Sequence, residues 1–578
     1  MAPLFHDPTL KPIEQVLINR GIKKYNIEHF LNTSDEDILN PKLIKNIEEG
    51  AKMLVRHMSA GSKVFLQIDS DCDGYTSAAT LLNYLNIIAP AFTQNNIIYR
   101  LHEGKEHGII IDTIPEDVRL VIMPDASSND YDEHKALHEK GVDILVIDHH
   151  EAPHESPDAC VINNQLCNYP TKSLSGVGMV YKFCCYLDTL LNVDYAENFR
   201  DLVALGMIAD MMDMRDFETR HLIMSGLNNI RNPFFKYFVD KQSFVLKDGI
   251  TPIGIAFYVA PYINATVRAG TAQEKLVLFE SMLDFKAYKE IPSTKRGEKG
   301  KTETIVTQAC RNCTNVKKRQ GDSRDAAATI IEQIIKENNL LDNKILAIKL
   351  TDEIAIDKTL VGLIANQLMS KYQRPVLLLR KQEEVPGEIT WEGSGRNYDK
   401  SEFDNLKEFL HYSGYFEYAD GHANAFGAGI RDDKFNDFIE YANKELASYS
   451  FTPCYKVDFI YQGSNFKAQD IIEIAELKSL WGQGLSEPYV ALEGINVHAD
   501  NVTLMSADKN PTLKITLPNG VSLIKFKSSV EEYESFKTTG CITLNIVGRC
   551  ERNVWNGKVS AQILIEDYDI EKVMQYYF

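Results

Sequence analysis

Three aspartates at alternate positions, Asp69, Asp71 and Asp73, follow directly on the apolar run Val64–Ile68. Carboxylates this close repel one another, so the segment is costly to fold unless cations neutralise it. A short apolar run that ends in polar groups is typical of a buried strand whose carboxyl end faces a binding site. The motif therefore predicts a metal-binding loop at the edge of a sheet.

Two alternatives to this interpretation are a solvated acidic loop and a calcium-binding EF-hand. The first is disfavoured because the motif lies between an apolar strand and the helix-like run Thr76–Leu85. The second requires a bidentate Glu at loop position 12. Counted from Asp69, that position is Thr80, so the spacing excludes an EF-hand.

Short apolar runs alternate with helical stretches over the first third of the chain. Such alternation predicts βαβ units, a mostly parallel sheet and an α/β fold. Ligands of such sheets bind beyond the carboxyl ends of the strands. The predicted strands are Val64–Ile68, Ile97–Leu101, Leu120–Met123, Ile144–Ile147 and Cys160–Ile162.

Further metal-ligand types follow the later strands. Asp125 follows the third predicted strand, Asp148-His149-His150 follow the fourth, and Asp210 ends the segment Gly206–Asp210. Imidazole suits transition metals such as Mn²⁺ better than Ca²⁺ or Mg²⁺. Two cations about 3.5–4 Å apart can bind a phosphodiester, activate water and stabilise the leaving oxygen. Together these residues predict a two-metal centre for hydrolysis.

With 578 residues, the chain is too long for one core and predicts several domains. After about residue 450 the pattern changes to short alternating strands, typical of a small β-barrel. We predict a helical lead-in at 1–60, a parallel-sheet catalytic domain at 61–235, a helical connector with a basic insertion at 236–340, a second α/β domain at 341–450 and a C-terminal β-barrel at 451–578.

Charge and composition restrict the classes of protein. The net charge of −19 disfavours binding nucleic acid by bulk electrostatics. The stretch Lys295–Asp325 is locally basic, with nine basic against four acidic residues; it predicts either a solvated helix face or a nucleic-acid contact. The scattered cysteines, including Cys310-x-x-Cys313, indicate reduced thiols, and the absence of a long apolar run predicts a cytoplasmic protein without a membrane partner.

The order of these motifs resembles the DHH phosphoesterase superfamily. The resemblance implies that Asp69, Asp71, Asp73, Asp125, His149 and Asp210 hold two Mn²⁺ ions, with Mg²⁺ as the alternative. It also implies that His150 faces the scissile phosphate as a catalytic residue. Asp148, the other catalytic residue, would support the histidine pair.

Further segments resemble the RecJ-like single-strand-specific exonucleases within that superfamily. They are Ser175–Gly178, Asp201–Gly206, Gly393–Arg396, Gly421–Ala425 and the linker Leu480–Pro488. The resemblance implies a DHHA1 domain that binds substrate through Ser394, Arg396, Arg268 and His422, followed by an OB-fold that binds single strands. Candidates on the OB-fold are Lys514, Lys525, Phe526, Lys527, Arg549, Arg552 and Trp555.

Two segments depart from the RecJ-like pattern. Asp420-Gly421-His422 stands where Gly-Gly-His is usual, which adds a negative charge near the predicted phosphate site. Between His102 and Gly108, an Arg before a Gly-Tyr-Gly-like turn is replaced by Glu103 and His107-Gly108. Both changes predict altered recognition of the strand end.

The resemblance implies a single-stranded DNA exonuclease that acts from the 5′ end and releases nucleoside 5′-monophosphates in DNA repair and recombination. A helicase or a single-strand-binding protein would be its partner. Two alternatives stay open. The chain could degrade short oligonucleotides or cyclic dinucleotides, although these need neither an OB-fold nor a basic insertion. It could also be a non-catalytic DNA-binding scaffold, which would be expected to lack metal ligands.

Overall fold

The computed structural model describes residues 1–103, 106–246, 249–351, 354, 356–538 and 540–574. These residues form two compact units. The larger unit comprises Leu4–Lys317 and Asp458–Phe578, and the smaller unit comprises Met1–Pro3 and Lys318–Val457.

A parallel sheet forms the centre of the larger unit, which confirms the predicted α/β class. Its three central strands are buried almost throughout, as their apolar sequences require. In spatial order they are Ile97–Leu101, Lys63–Ile68, Val118–Pro124, Asp143–Asp148 and Cys160–Asn163. The direction of progression reverses between the Lys63–Ile68 and Val118–Pro124 strands. In open α/β sheets such a switch point is where ligands bind.

Helices surround this sheet, and most of the regular structure in residues 1–60 and 236–340 is also helical. Among the described residues, no helix is long and apolar enough to cross a membrane. The helices of the larger unit are Pro12–Asn19, Ile27–Leu31, Ile47–Ala60, Cys72–Ile88, Pro90–Asn96, Tyr131–Glu139, Gly176–Leu191, Arg200–Ala209, Phe217–Asn228, Pro233–Lys241, Pro252–Tyr258, Ala260–Ala269, Ala272–Ser281, Ala468–Ala475 and Val530–Thr538; Ile305–Glu337 extends from this unit into the smaller one.

The basic stretch differs from the predicted helix. Its first part is the turn of a β-hairpin between strands Glu290–Pro292 and Thr302–Thr304. Several of its cations are paired: Lys295 with Glu298, Arg311 with Glu303, and Arg324 with Asp325. These pairs use acidic residues that the sequence count already sets against the cations, so the stretch keeps the net positive charge that the sequence indicates. Cys310 and Cys313 lie on the following helix as buried free thiols.

A second sheet of the larger unit contains the C-terminal strands. The strands Thr512–Thr516 and Ser522–Lys525 pair across the turn that Pro518-Asn519-Gly520 predicts. The last two strands are much longer than predicted and form an extended hairpin. In spatial order the strands are Phe459–Gln462, Val490–His498, Cys541–Trp555, Lys558–Met574, Ser522–Lys525, Thr512–Thr516 and Val502–Met505.

This C-terminal sheet shares a continuous apolar core with the parallel sheet and its helices. A bidentate ion pair ties the two together, because both guanidinium ends of Arg20 lie 2.9 Å from the carboxylate of Asp458. The backbone N–H of Met214 also donates to the carbonyl oxygen of Gln483 at 3.0 Å. The C-terminal sheet is thus fixed on the catalytic-domain helices.

The smaller unit is a mixed α/β structure. Its first two strands are parallel and the others are antiparallel. In spatial order the strands are Phe416–His422, Ala425–Arg431, Glu388–Arg396, Val376–Val385 and Leu346–Leu350, and the helices are Val361–Tyr372, Leu406–Ser413 and Asp432–Glu445. Strand Ala2–Pro3 pairs with Lys456–Val457.

A fully buried ion pair links the lead-in to the catalytic-domain helices. Lys182 Nζ lies 2.7 Å from Glu218 Oε1, and both side chains are almost completely buried. Glu218 also accepts hydrogen bonds from the Tyr169 hydroxyl and from the backbone N–H of Leu39. Removing one partner of such a pair leaves an uncompensated buried charge.

We predict that Glu218→Gln destabilises the larger unit by about 3–5 kcal/mol. The matched control is Glu48→Gln, because the pair of Glu48 and Lys52 is exposed and its attraction is screened by solvent. Urea unfolding followed by the fluorescence of buried Trp481, with Trp391 and Trp555 replaced by Phe, measures both. Equal destabilisation by the two variants would contradict the prediction.

Candidate metal centre

The aspartate motif forms a tight connection between the first strand and the helix Cys72–Ile88. Asp71 caps this helix, and its carboxylate accepts a hydrogen bond from the N–H of Gly74 at 2.9 Å. Asn264 Oδ1 accepts another from the N–H of Cys72 at 2.9 Å. A Cβ at position 74 would come within 2.8 Å of the Asp69 carbonyl oxygen, so the motif requires its glycine.

The carboxylate of Asp73 is held at the N-terminus of the helix Gly176–Leu191. It accepts hydrogen bonds from Ser175 Oγ at 2.8 Å and from the N–H of Gly176 at 2.7 Å. A helix N-terminus favours a negative charge, because its N–H groups lack partners within the helix. A Cβ at Gly176 would come within 2.2 Å of an Asp125 oxygen, so this glycine lets two carboxylates share one helix end.

Asp125 and Asp210 approach the site from different elements. Asp125 follows the strand Val118–Pro124 and has a left-handed backbone, with φ of 71°. Asp210 follows the helix Arg200–Ala209, and the next residue, Met211, is also left-handed, with φ of 60°. Such strained residues persist only where the surrounding structure enforces them, and they cluster at functional sites.

The Asp-His-His segment orients its two rings differently. Asp148 Oδ1 accepts hydrogen bonds from the backbone N–H of His149 at 2.7 Å and from the His150 ring Nδ1 at 2.8 Å. Its other oxygen accepts one from the N–H of Ser128 at 3.0 Å. His149 Nε2 instead lies 3.2 Å from Asp125 Oδ1 and 3.5 Å from Asp210 Oδ2.

The structure brings the six predicted metal ligands together at the switch point of the sheet. Their ligand atoms lie within 4.8 Å of one another in the groups Asp69, Asp71 and Asp125, and Asp73, His149 and Asp210. In the described part of the chain, Asp125 Oδ1 and Asp210 Oδ2 are buried and accept no hydrogen bond. Buried acceptors without donors, beside an imidazole, fit divalent cations.

The pKa values reflect this crowding. Burial, with repulsion from Asp73, raises the pKa of Asp71 to about 6. Burial, with repulsion from Asp73 and Asp71, raises the pKa of Asp210 to about 8 and that of Asp125 well above its usual value. Burial lowers the pKa of His149, which favours the neutral, metal-binding ring. In metal-free protein some of these carboxylates are therefore protonated near neutral pH.

His150 and Asp148 form a separate charged pair beside this cluster. Burial alone would lower the pKa of His150, but the hydrogen bond to Asp148 and the charges of Asp148, Asp210 and Asp73 together raise it to about 9. Burial would raise the pKa of Asp148, yet the same bond and the charges of the two histidines together hold that pKa well below its usual range. The His150 ring is 46% exposed. It therefore presents a positive charge to the solvent side of the site.

Two histidines that sequence reasoning did not assign to the site contact Asp69. His102 Nδ1 and His107 Nδ1 lie 3.2 and 3.0 Å from Asp69 Oδ1. Burial would raise the pKa of Asp69, but these hydrogen bonds outweigh burial and hold the pKa well below its usual range. The signal in the sequence was the departure from the RecJ-like pattern between His102 and Gly108.

The predicted substrate-binding residues lie in both units. Arg268, in the larger unit, is exposed near the end of helix Ala260–Ala269 and lowers the pKa of Asp71 by its charge. Ser394 and Arg396 lie on a strand of the smaller unit, paired with Gly427 and Ala425. His422 ends the neighbouring strand Phe416–His422 and is exposed.

The candidate residues on the C-terminal sheet divide into two kinds. Arg549 pairs with Glu487 and Glu566, and Lys525 pairs with Glu532, so these cations are compensated. Phe526 and Trp555 are 60% and 74% exposed. Phe526 also lines a groove of about 470 Å³ together with the connector residues Leu246, Gly249 and Tyr258. The exposed aromatic rings are thus more available to a ligand than these two paired cations are.

Comparison with known proteins identifies two parts of the chain. Residues 63–207 match the model of the DHH family, N-terminal domain, and residues 458–567 match that of the RecJ OB domain. The second match confirms the predicted C-terminal domain type, and the seven strands described there are consistent with it.

Similar proteins cover almost the whole chain. A putative SPbeta prophage-derived single-strand DNA-specific exonuclease, YorK of Bacillus subtilis, is 36% identical over 99% of this chain and 98% of its own length. The single-stranded-DNA-specific exonuclease RecJ of the same species is 25% identical over 96% of this chain and 67% of its own length. The crystal structure of Thermus thermophilus RecJ in complex with Mn²⁺ superposes with a TM-score of 0.69 at 17% identity, covering 99% of this chain and 80% of that one.

We predict that metal-free protein loses stability as pH rises from about 5 to 8. Carboxyl groups with raised pKa values bind more protons in the folded than in the unfolded state over this range, so stability falls with pH. Mn²⁺ should then raise the melting temperature more at pH 8 than at pH 6. At about 100 times its Kd, a cation contributes about 2.7 kcal/mol.

The matched variant is Asp210→Asn, measured by thermal unfolding with EDTA or Mn²⁺ at each pH. It should flatten the pH dependence relative to wild type and reduce the Mn²⁺ response, because it removes a crowded carboxylate and a ligand. An identical pH dependence in the two proteins would contradict this account.

Proposed function

The chain belongs to the RecJ branch of the DHH family, the single-strand-specific DNA exonucleases, and we propose that it releases nucleoside 5′-monophosphates from the 5′ end by a two-metal mechanism. The observation that carries the proposal is the pocket in which His149 lies beside Asp125 Oδ1 and Asp210 Oδ2. Both oxygens are buried acceptors without a donor. Cation binding explains such a pocket, because a cation would supply the partner that these buried oxygens lack.

We assign the cation sites to Asp69, Asp71, Asp73, Asp125, His149 and Asp210, with Mn²⁺ as the preferred ion and Mg²⁺ as the alternative. When bound, two such ions polarise the phosphate, activate water and stabilise the leaving oxygen. His149 suits Mn²⁺ because its ring is neutral and its Nε2 already points at two carboxylates.

His150 acts on the phosphate from the solvent side. Its bond to Asp148 keeps the ring protonated and fixes Nδ1, so Nε2 can donate to a phosphate oxygen. Asp148 is itself held by the N–H groups of Ser128 and His149, so the ring cannot turn away. We infer that His150 neutralises charge that develops on the phosphate during hydrolysis.

The smaller unit would supply phosphate recognition through Ser394 and Arg396. A Cβ at Gly362 would lie 2.7 Å from Arg396 Nη2 and 3.5 Å from Ser394 Oγ. Both polar groups therefore converge on the start of helix Val361–Tyr372, where a glycine leaves room. An Arg fork can bind phosphate through two parallel hydrogen bonds, which Lys cannot do. We propose His422 and Arg268 as further phosphate contacts.

The two alternatives fit the site less well. A non-catalytic scaffold would have no use for a complete set of ligands, and all six lie together. An enzyme for short oligonucleotides or cyclic dinucleotides would have no use for exposed aromatic rings on a second domain, such as Phe526 and Trp555. Stacking on such rings holds single strands without regard to sequence.

We propose a cytoplasmic role in DNA repair and recombination. The enzyme would act there with a helicase or a single-strand-binding protein that supplies the single strand. The cysteines are all free thiols, as a reducing compartment requires.

We predict that wild-type protein with Mn²⁺ releases the label of a 5′-labelled single strand at once as mononucleotide. The 3′-labelled strand should shorten gradually, and both duplexes should resist. Asp125→Ala should reduce the rate by more than about 100-fold, because even the loss of an outer-shell contact typically costs 10–100-fold. Hydrolysis of dinucleotides without cleavage of long DNA would refute the proposal in favour of the small-substrate enzyme.

We predict that Arg396→Lys raises KM for single-stranded DNA roughly 10-fold with kcat unchanged, because it removes a bidentate hydrogen bond made equally to substrate and transition state. Arg431→Lys is the control, since Arg431 forms an exposed ion pair with Asp433. Steady-state kinetics on a 5′-phosphorylated strand measure both. An unchanged KM in Arg396→Lys would remove Arg396 from the binding site.

A further inference from the structure

Asp69 is held by two imidazole rings that approach the same carboxylate oxygen. His102 Nδ1 and His107 Nδ1 lie 3.2 and 3.0 Å from Asp69 Oδ1. Among the described contacts of Asp69, both ring hydrogen bonds fall on Oδ1, which leaves Oδ2 to a cation. One donor would let a carboxylate turn about its Cβ–Cγ bond, whereas two donors on the same oxygen restrict that rotation.

The two histidines have different environments. His102 directly follows the strand Ile97–Leu101, its side chain is fully buried, and its backbone N–H donates to the Ile68 carbonyl oxygen at 3.1 Å. Its role can be explained by packing alone. His107 is 55% exposed, and therefore buries too little surface to be kept for packing.

The backbone next to His107 is nevertheless firmly placed. Gly108 has φ of 70°, and a Cβ there would lie 2.2 Å from an Asp130 oxygen. Asp130 accepts a hydrogen bond from the N–H of Ile109 at 2.8 Å. The His107 ring also lies edge-on to the His150 ring, with the centroids 5.8 Å apart. The exposed ring of His107 thus lies on a constrained backbone between Asp69, a proposed metal ligand, and His150, the proposed phosphate contact. This placement indicates a function in the site.

We propose that His107 is a positioning residue of the metal centre: its Nδ1–H bond orients the Asp69 carboxylate for cation binding. The proposal rests on the metal centre proposed above. Hydrogen bonds to metal ligands commonly fix their orientation and account for 10–100-fold in metal affinity. The neutral ring protonated at Nδ1 and the imidazolium both supply this N–H, so the proposal does not depend on the charge of the ring.

The test is Mn²⁺ affinity, measured without substrate from the electron paramagnetic resonance signal of free Mn²⁺. The amide nitrogen of Asn can replace Nδ1 of a histidine, whereas that of Gln replaces Nε2. His107→Ala and His107→Gln should therefore weaken Mn²⁺ binding about 10–100-fold, and His107→Asn should bind close to wild type. His138→Ala, an exposed histidine on helix Tyr131–Glu139, should have no effect.

The possible results distinguish the positioning role of His107 from the existence of the metal centre. Wild-type affinity in His107→Ala, or equal weakening in His107→Asn and His107→Gln, would overturn the positioning role while leaving the metal centre intact. Absence of Mn²⁺ binding by the wild-type protein would refute the proposed metal centre together with this inference. Circular dichroism of each variant confirms that the fold is retained.

Discussion

Repulsion among the carboxylates at the end of the parallel sheet is the constraint on which the rest of the site depends. Asp73 and Asp125 are buried, and Asp71 and Asp210 lie half-buried close enough to raise one another's pKa values. The chain offsets this repulsion with oriented donors: helix N–H groups at Asp73 and imidazole rings at Asp69. The rest of the repulsion is not offset by any donor, and it raises the pKa values of these carboxyl groups. The excess negative charge attracts cations.

The same constraint explains local features that would otherwise be costly. Gly176 and Gly206 stand where a Cβ would touch the carboxylates of Asp125 and Asp73. Asp125 and Met211 adopt left-handed backbones that cost of order 1–3 kcal/mol each. The crowded carboxylates and strained backbones of the site therefore lower the stability of the fold. The large apolar core beneath the site offsets this loss.

The sequence predicted those elements whose signal lies in residues that are neighbours along the chain. The strand runs, the Asp-x-Asp-x-Asp-Gly loop and the hairpin turn at Pro518–Gly520 each carry their signal in neighbouring residues. Pairings between distant residues carry none: Glu487 neutralises Arg549 from 62 positions away, and His107 reaches Asp69 from 38. The hairpin at the start of the basic stretch was not predicted for the same reason, since the pairing of Glu290–Pro292 with Thr302–Thr304 has no signal in either segment alone.

Charge pairing on the C-terminal sheet also bears on how a strand would be held. Arg549 and Lys525 are paired to glutamates and the chain has a net charge of −19, so these two cations add little attraction for a phosphate backbone. Phe526 and Trp555 offer bases a stacking surface whose strength does not depend on displaced counterions. Under the proposed function, phosphate recognition is assigned to the metal centre and to Arg396. Stacking on the aromatic rings would then let a strand slide, because stacking does not fix the strand at one position.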